Sequence, residues 1–302
     1  MAKKNYEKEL SDYLCDALSK GEIPWERGWE ILGPHYNVSS GRKYRGNNQV
    51  LLPLYASIEG WDSSQWGTFK NWTEQSDKHN AALGLEGSDR QWFGVQKGSS
   101  SKAVFFWNIK EVDDRDNPGE KKKIFWKKWF WVFNREQTGL PPQTDALEHD
   151  IPEDEREKAF NAAMDVFAEA TDLTIKYGGD KASYNHAQHI VNLPKPERFK
   201  SIEERVNTKA HELIHSTGKA LKRDMSGCFG DKKYAQEELV AEMGAALVCA
   251  QFGFDYTSRN NLAAYINSWL KALGGDQNYI VKVTGDVGKA VRRILEAGDE
   301  EE

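Results

Sequence analysis

Residues 201–218 read S-I-E-E-R-V-N-T-K-A-H-E-L-I-H-S-T-G, and few stretches restrict a fold so tightly. Ser201-x-x-Glu204 has the form of a capping box and Gly218 is a plausible stop, so the spacing predicts a helix over 202–217. On that helix His211 and His215 stand one turn apart on one face, where two imidazoles reach a single tetrahedral ion. Glu212, one residue on, points beside such an ion, as a base that takes a proton from an activated water must. The competing reading is a helix with two hydrogen-bonded histidines, and a third ligand decides between them.

Residues 234–250, YAQEELVAEMGAALVCA, are apolar on nearly every side of a helix, with small residues at Ala241, Gly244 and Ala245. Carboxylates in such a helix are costly unless a cation or a metal meets them. Glu238 and Glu242, at i and i+4, match a ligand followed one turn later by an acid that accepts a proton from a ligand histidine's other nitrogen. Glu238 is therefore the expected third ligand and Glu242 its supporting acid. Glu237 is the rival and is expected to face solvent. Zinc is the expected ion, with manganese or another divalent ion as alternatives. A peptidase also needs a donor for the oxyanion. Tyr234, one turn before Glu238, is the nearest candidate, and Tyr184 and His186 are others.

At 302 residues the chain is long for one core, and two domains are expected. No apolar run approaches the roughly 18 residues a membrane span needs. Cys15, Cys228 and Cys249 are odd in number and widely spaced, which fits unpaired thiols in a reducing compartment; the expected location is the cytoplasm. Cys228 is a weaker ligand candidate.

Aromatics and charge divide the chain. Ten of its eleven tryptophans precede residue 140. Residues 1–140 hold 21 basic and 19 acidic side chains, whereas 141–302 hold 20 and 28. This balance excludes a strongly basic duplex-DNA binder and an acidic DNA mimic. An aromatic-rich half of modest charge remains compatible with single strands, where base stacking supplies much of the affinity.

Tyr6, Leu10, Tyr13, Leu14 and Leu18 recur at helical spacing, and Gly21 closes that helix. From 44 to 135 the pattern turns to short strands, loops and one helix near 68–82. AVFFWNIK (103–110) and KIFWKKWFWVFN (123–134) predict a long β-hairpin with a polar tip. Three prolines and acidic residues mark 137–155 as the linker region. Beyond it a helix near 153–171, one or two short strands around 173–192 and three helices are expected. The acidic end AGDEEE (297–302) is expected to be solvated.

The chain resembles the plasmid antirestriction family ArdC, whose N-terminal region also occurs in TraC-type plasmid primases. The resemblance rests on G-E-I-P-W-E-R-G-W (21–29), Y-R-G-N-N (44–48), T-F-K (68–70), V-Q-K-G (95–98), V-F-F (104–106) and V-F-N-R-E-Q-T-G-L-P (132–141) in the first half. In the second it rests on A-H-E-L-I-H-S-T-G (210–218), Y-A-Q-E-E-L-V-A-E (234–242) and A-A-Y-I-N-S-W-L-K (263–271). Two stretches depart from the family: I-V-N-L-P (190–194) follows His189 where an acid is expected, and the hairpin tip at 111–123 is long.

The resemblance implies an α+β protein of two domains. A mixed, aromatic-rich single-stranded-DNA-binding domain is expected over 1–140, a linker over 141–152, and a mostly helical zincin-like metallopeptidase domain over 153–302. It also implies protection of incoming plasmid or phage DNA from host restriction. Trp25, Trp29, Trp66, Trp92, Trp107, Trp126, Trp129 and Trp131, interleaved with Arg42, Lys43, Arg45, Lys70, Lys97, Lys102, Lys121–Lys123, Lys127 and Lys128, would then build the stacking groove. Tyr44 and Asn47 of the Y-R-G-N-N motif join that candidate set. The alternative expectation is a dedicated metalloprotease whose N-terminal half recognises a host protein substrate.

Overall fold

A computed structural model describes residues 6–26, 33–113, 121–142, 151–227, 231–256, 269–271 and 279–297. Trp29 and Cys228 lie outside them, as do the side chains of Trp107, Trp126, Lys122, Lys123 and Lys127. The architecture is α+β, with chain contacts that gather into two units. The smaller comprises 36–44 and 65–143; the larger comprises 1–35, 45–64 and 144–302. The chain therefore crosses between units more than once, whereas the expected domains follow each other in linear order.

In the smaller unit, strands β1 (Tyr36–Asn37), β2 (Gln65–Gly67), β3 (Lys102–Asp113) and β4 (Lys121–Asn134) form a sheet of order β1-β2-β4-β3. The expected hairpin is present, with β3 antiparallel to β4 from Lys102↔Val132 to Asp113↔Lys121. A helix (Phe69–Ala82) starts at Thr68, whose hydroxyl accepts from the Asn71 N–H while the Asn71 side chain accepts from the Thr68 N–H. Its Trp72 is fully buried, and the ring N–H donates to the Phe133 carbonyl at 2.9 Å.

The larger unit begins with helix α1 (Tyr6–Ser19), at the predicted position. Helix α2 (Asn48–Glu59) was not foreseen, because Pro53 sits inside an apolar run that reads as a strand. The helix of the smaller unit is α3 in chain order. Next come α4 (Glu153–Ala170) and three short strands, β5 (Thr174–Tyr177), β6 (Ser183–Asn185) and β7 (Ile190–Leu193), in the order β5-β7-β6. Helices α5 (Ile202–Ser216), α6 (Lys232–Gln251) and α7 (Tyr279–Leu295) complete the described elements.

The segment carrying α2 is tied to α7. Asn47 donates to the Val281 carbonyl at 2.9 Å and to the Thr284 hydroxyl at 3.0 Å, and Gln49 donates to the Gly288 carbonyl. A Cβ at Gly288 would lie 2.9 Å from the Gly46 carbonyl oxygen, so only glycine admits this approach. Helices α5 and α6 pack through Leu213, Ile214, Leu239, Val240 and Met243, all buried. Gly244 removes the side chain that would strike Ile214, 2.7 Å from its Cδ1, and so lets the two helices come close enough for their polar side chains to meet.

Candidate metal centre

Helix α5 is built as its sequence predicts. The Ser201 hydroxyl accepts from the Glu204 N–H at 3.1 Å; Glu204 reaches back one residue further than expected, to the Lys200 N–H at 2.7 Å. Helix α6 starts at Asp231, whose carboxylate accepts from the Tyr234 N–H. These caps fix the phase of two helices whose facing sides carry the polar cluster.

His211, His215 and Glu238 offer ligand atoms that all lie within 4.8 Å of one another. The two histidine Nε2 atoms are 3.1 Å apart, and Glu238 oxygens lie 3.6 Å from Nε2 of His211 and 3.5 Å from that of His215. Atoms bonded to one tetrahedral ion at about 2.1 Å lie roughly 3.4 Å from each other, so the triangle has the right size.

The other imidazole nitrogens are engaged. His215 Nδ1 stands 3.0 Å from a Glu237 oxygen. His211 Nδ1 stands 3.5 Å from Glu242, and Tyr256 donates its hydroxyl to Glu242 at 3.1 Å. Both rings are thereby oriented with Nε2 toward Glu238. Burial opposes ionisation of the Glu238 carboxyl, yet His211 and His215 outweigh it and hold the group well below the usual carboxylate range. Burial likewise disfavours charge on His215, but Glu237 and Glu238 raise its pKa to about 10.

Glu242 stands beside His211 Nδ1. Glu237 corrects the expectation that it faces solvent: it is 8% exposed and serves His215 as Glu242 serves His211. Arg223 grips it through two bonds, at 2.8 and 2.9 Å, and also donates to the Ile214 carbonyl and the Thr217 hydroxyl. Burial pushes the Glu237 carboxyl up, but Arg223 and His215 overcome this and keep it lowered. Arg223 and Tyr256 carried no sequence signal, since neither stands at a fixed spacing from the histidines.

His211, His215, Glu237, Glu238 and Glu242 line a cleft of about 390 Å³ together with Glu212, Tyr234, Ser183, Tyr184 and His186. Glu212 is 4% exposed. All three oxyanion candidates thus border the same space, with Tyr184 in a hydrogen bond to His189 Nδ1 at 2.8 Å.

The far side of α5 carries a different charged group. Lys209 is buried, with its amine 2.9 Å from Asn161 Oδ1. Burial lowers its pKa, against the pull of Asp165 and Glu157. Below its ordinary value of about 10.4 the unfolded chain therefore binds more protons than the folded one, so stability rises with pH across that window. Urea unfolding of the wild type should show this alkaline gain, and Lys209→Met should flatten it; equal slopes would discount the buried amine.

The candidate DNA-contacting side chains fare unequally. Arg42, Lys43, Arg45, Lys70, Lys97 and Trp92 are exposed. Trp25, however, is 2% exposed and packs edge-on against Trp269, so its ring offers no face to a base. Trp66, Tyr44 and Lys102 are also buried, and the Asn47 amide is committed to α7. Burial at four of these positions, and hydrogen bonding at Asn47, engages the side chain that the groove was expected to use.

A paired-histidine helix facing a glutamate helix, with a small sheet beside the cleft, is a zincin-like arrangement, and residues 162–286 match the zincin-like metallopeptidase family. Residues 4–133 match the N-terminal domain of anti-restriction factor ArdC. The chain belongs to the ArdC family of antirestriction proteins. The metal-free crystal structure of the ArdC antirestriction protein of plasmid R388 is 30% identical, covers 97% of this chain and 98% of its own, and superposes with a TM-score of 0.70. Its Mn(II)-bound structure gives 26% identity and a TM-score of 0.71, over 99% of this chain and all of that one. Protein y4eC of Sinorhizobium fredii is 30% identical over 91% of this chain and 86% of its own length. Two DNA primases TraC of Escherichia coli, each 28% identical, match 97% of this chain, which spans only 20% and 27% of their length. No helix among the described residues is long and apolar enough to cross a membrane.

Proposed function

We propose that this chain is a single-stranded-DNA-binding antirestriction protein with a metal-dependent peptidase site, acting to protect incoming plasmid or phage DNA from host restriction. The observation that carries the peptidase reading is the triangle of His211, His215 and Glu238 with Glu212 in the same cleft. Two imidazoles and a carboxylate suit zinc, and three protein ligands leave a position open, as catalytic rather than structural sites do. The manganese form of the R388 relative supports a divalent ion and keeps Mn(II) as the rival.

A bound ion would supply Lewis acidity to water and to the scissile carbonyl. Glu212 would take the proton from the attacking water and return it to the leaving amine. Tyr234, one turn ahead of Glu238, would donate to the developing oxyanion. Glu237 and Glu242 would hold the two imidazoles in the tautomer that presents Nε2.

Elemental analysis and zinc and manganese titrations of the full chain test the reading. About one ion per chain is expected, lost in Glu238→Ala; stoichiometric metal in Glu238→Ala would remove that residue from the ligand set. Glu237→Gln should bind the ion about 10- to 100-fold more weakly, because it loses the charged partner of His215. Unchanged affinity would make Glu237 a packing residue. For the nucleic-acid half, the expected result is salt-sensitive binding with preference for single over double strands.

A further inference from the structure

Sorting the sequence by spatial unit separates charge more sharply than cutting it in half. The smaller unit holds 15 basic and 10 acidic side chains, and the larger holds 26 and 37. The one net-positive body in this acidic chain therefore excludes α1 and α2.

This unit also leaves aromatic rings uncovered. In β4, Val132 and Asn134 are buried, as is Val104 across the ladder, so the residues that alternate with them share the opposite face. Those residues are Trp129, Trp131 and Phe133: Trp131 is 36% exposed, and the other two are partly exposed. Phe69 lies edge-on to Phe133, with centroids 6.5 Å apart, and Trp92 stacks on Phe69 at 5.8 Å and 28°. Phe69 and Trp92 are 53% and 49% exposed. Two large rings stacked on each other in solvent are not a core. Exposed cations stand near these rings in sequence: Lys70 follows Phe69 with a side chain 85% accessible, and Lys97 comes five residues after Trp92.

We propose that single-stranded DNA runs along this strip, with bases on Trp92, Phe69 and Trp131 and phosphates toward Lys70 and Lys97. Alternate residues on a strand advance about 6.8 Å. Duplex stacking spaces bases about 3.4 Å apart, so bases that each seat on one ring must be spread, as only an unpaired strand permits. Net positive charge and uncovered rings together favour a polyanion with π faces over an apolar protein partner. The inference rests on the single-strand reading above and assigns it to one face of the smaller unit.

The test is fluorescence anisotropy of the full chain with a labelled oligothymidylate, with melting temperature recorded for each variant. Trp92→Ala, Phe69→Ala and Trp131→Ala should each weaken binding about 5- to 100-fold, and Trp92→Phe should restore most of the loss. Lys97→Glu should weaken binding and flatten its salt dependence. Photocrosslinking the wild type to a bromodeoxyuridine oligonucleotide needs no variant and should place adducts at these rings. Absence of wild-type binding would sink the single-strand reading itself. Wild-type binding with ring variants within twofold, or adducts confined to other surfaces, would overturn only the assignment. Concentration-dependent dimers lost in Trp92→Ala, without loss of DNA affinity, would give the strip to a second copy.

Discussion

Glu212→Gln should reduce metal-dependent peptide hydrolysis by about 100- to 10,000-fold while metal content stays near that of the wild type. The reason is positional. Glu212 follows His211 on α5 and lines the same cleft, yet the triangle is completed by Glu238 from α6. The amide keeps the size of the side chain and loses only its capacity as a base. Rate and bound ion must therefore separate: kcat falls and elemental analysis does not change. If both fall together, Glu212 maintains the site rather than transferring a proton. Restriction protection in cells adds a second readout. A Glu212→Gln protein that protects DNA as well as the wild type would show that protection does not need hydrolysis.

Trp72→Ala should destabilise the smaller unit by about 3–5 kcal/mol, the range found when a large buried aromatic is truncated. The indole is fully buried beneath the sheet, and its N–H satisfies the Phe133 carbonyl. Alanine leaves a cavity and an unpaired acceptor in one step. Such a loss approaches the whole stability of a small domain, about 5–15 kcal/mol. Denaturant unfolding should move sharply for this variant, while divalent-ion affinity, set by α5 and α6, should not move. A shift below about 1 kcal/mol would mean that Trp72 is not the anchor its burial implies.

The two predictions draw on parts of the molecule that were unequally legible. Helix α5 could be read almost residue by residue, because a cap, a stop and two histidines at i and i+4 all specify one phase. Glu238 and Glu242 were also readable, since their spacing is helical and their helix apolar. Glu237 was misjudged for a related reason. A helix buried on nearly every side has no polar face from which to infer direction, and the partner that rescues Glu237, Arg223, comes from a loop with no fixed register. Helix α2 was missed because Pro53 weighs against a helix interior and an apolar run has no period. Among the tryptophans composition signalled an excess of rings but could not say which ones close a core. Trp66 and Trp72 vanish into the sheet, while Trp92, with the same local polarity, stands outside.

The docking of α2 onto α7 also bears on how such a chain can be inherited. Val50, Leu51, Leu52 and Leu54 are at most 3% exposed and belong with the C-terminal helices, although they precede most of the strip-bearing sheet in sequence. A gene cut at the proline-rich junction would strand those leucines on one product and strip the other of its cover. Recombination should thus move the two parts as a block. The TraC primase matches, which span 97% of this chain inside far longer proteins, agree with that expectation.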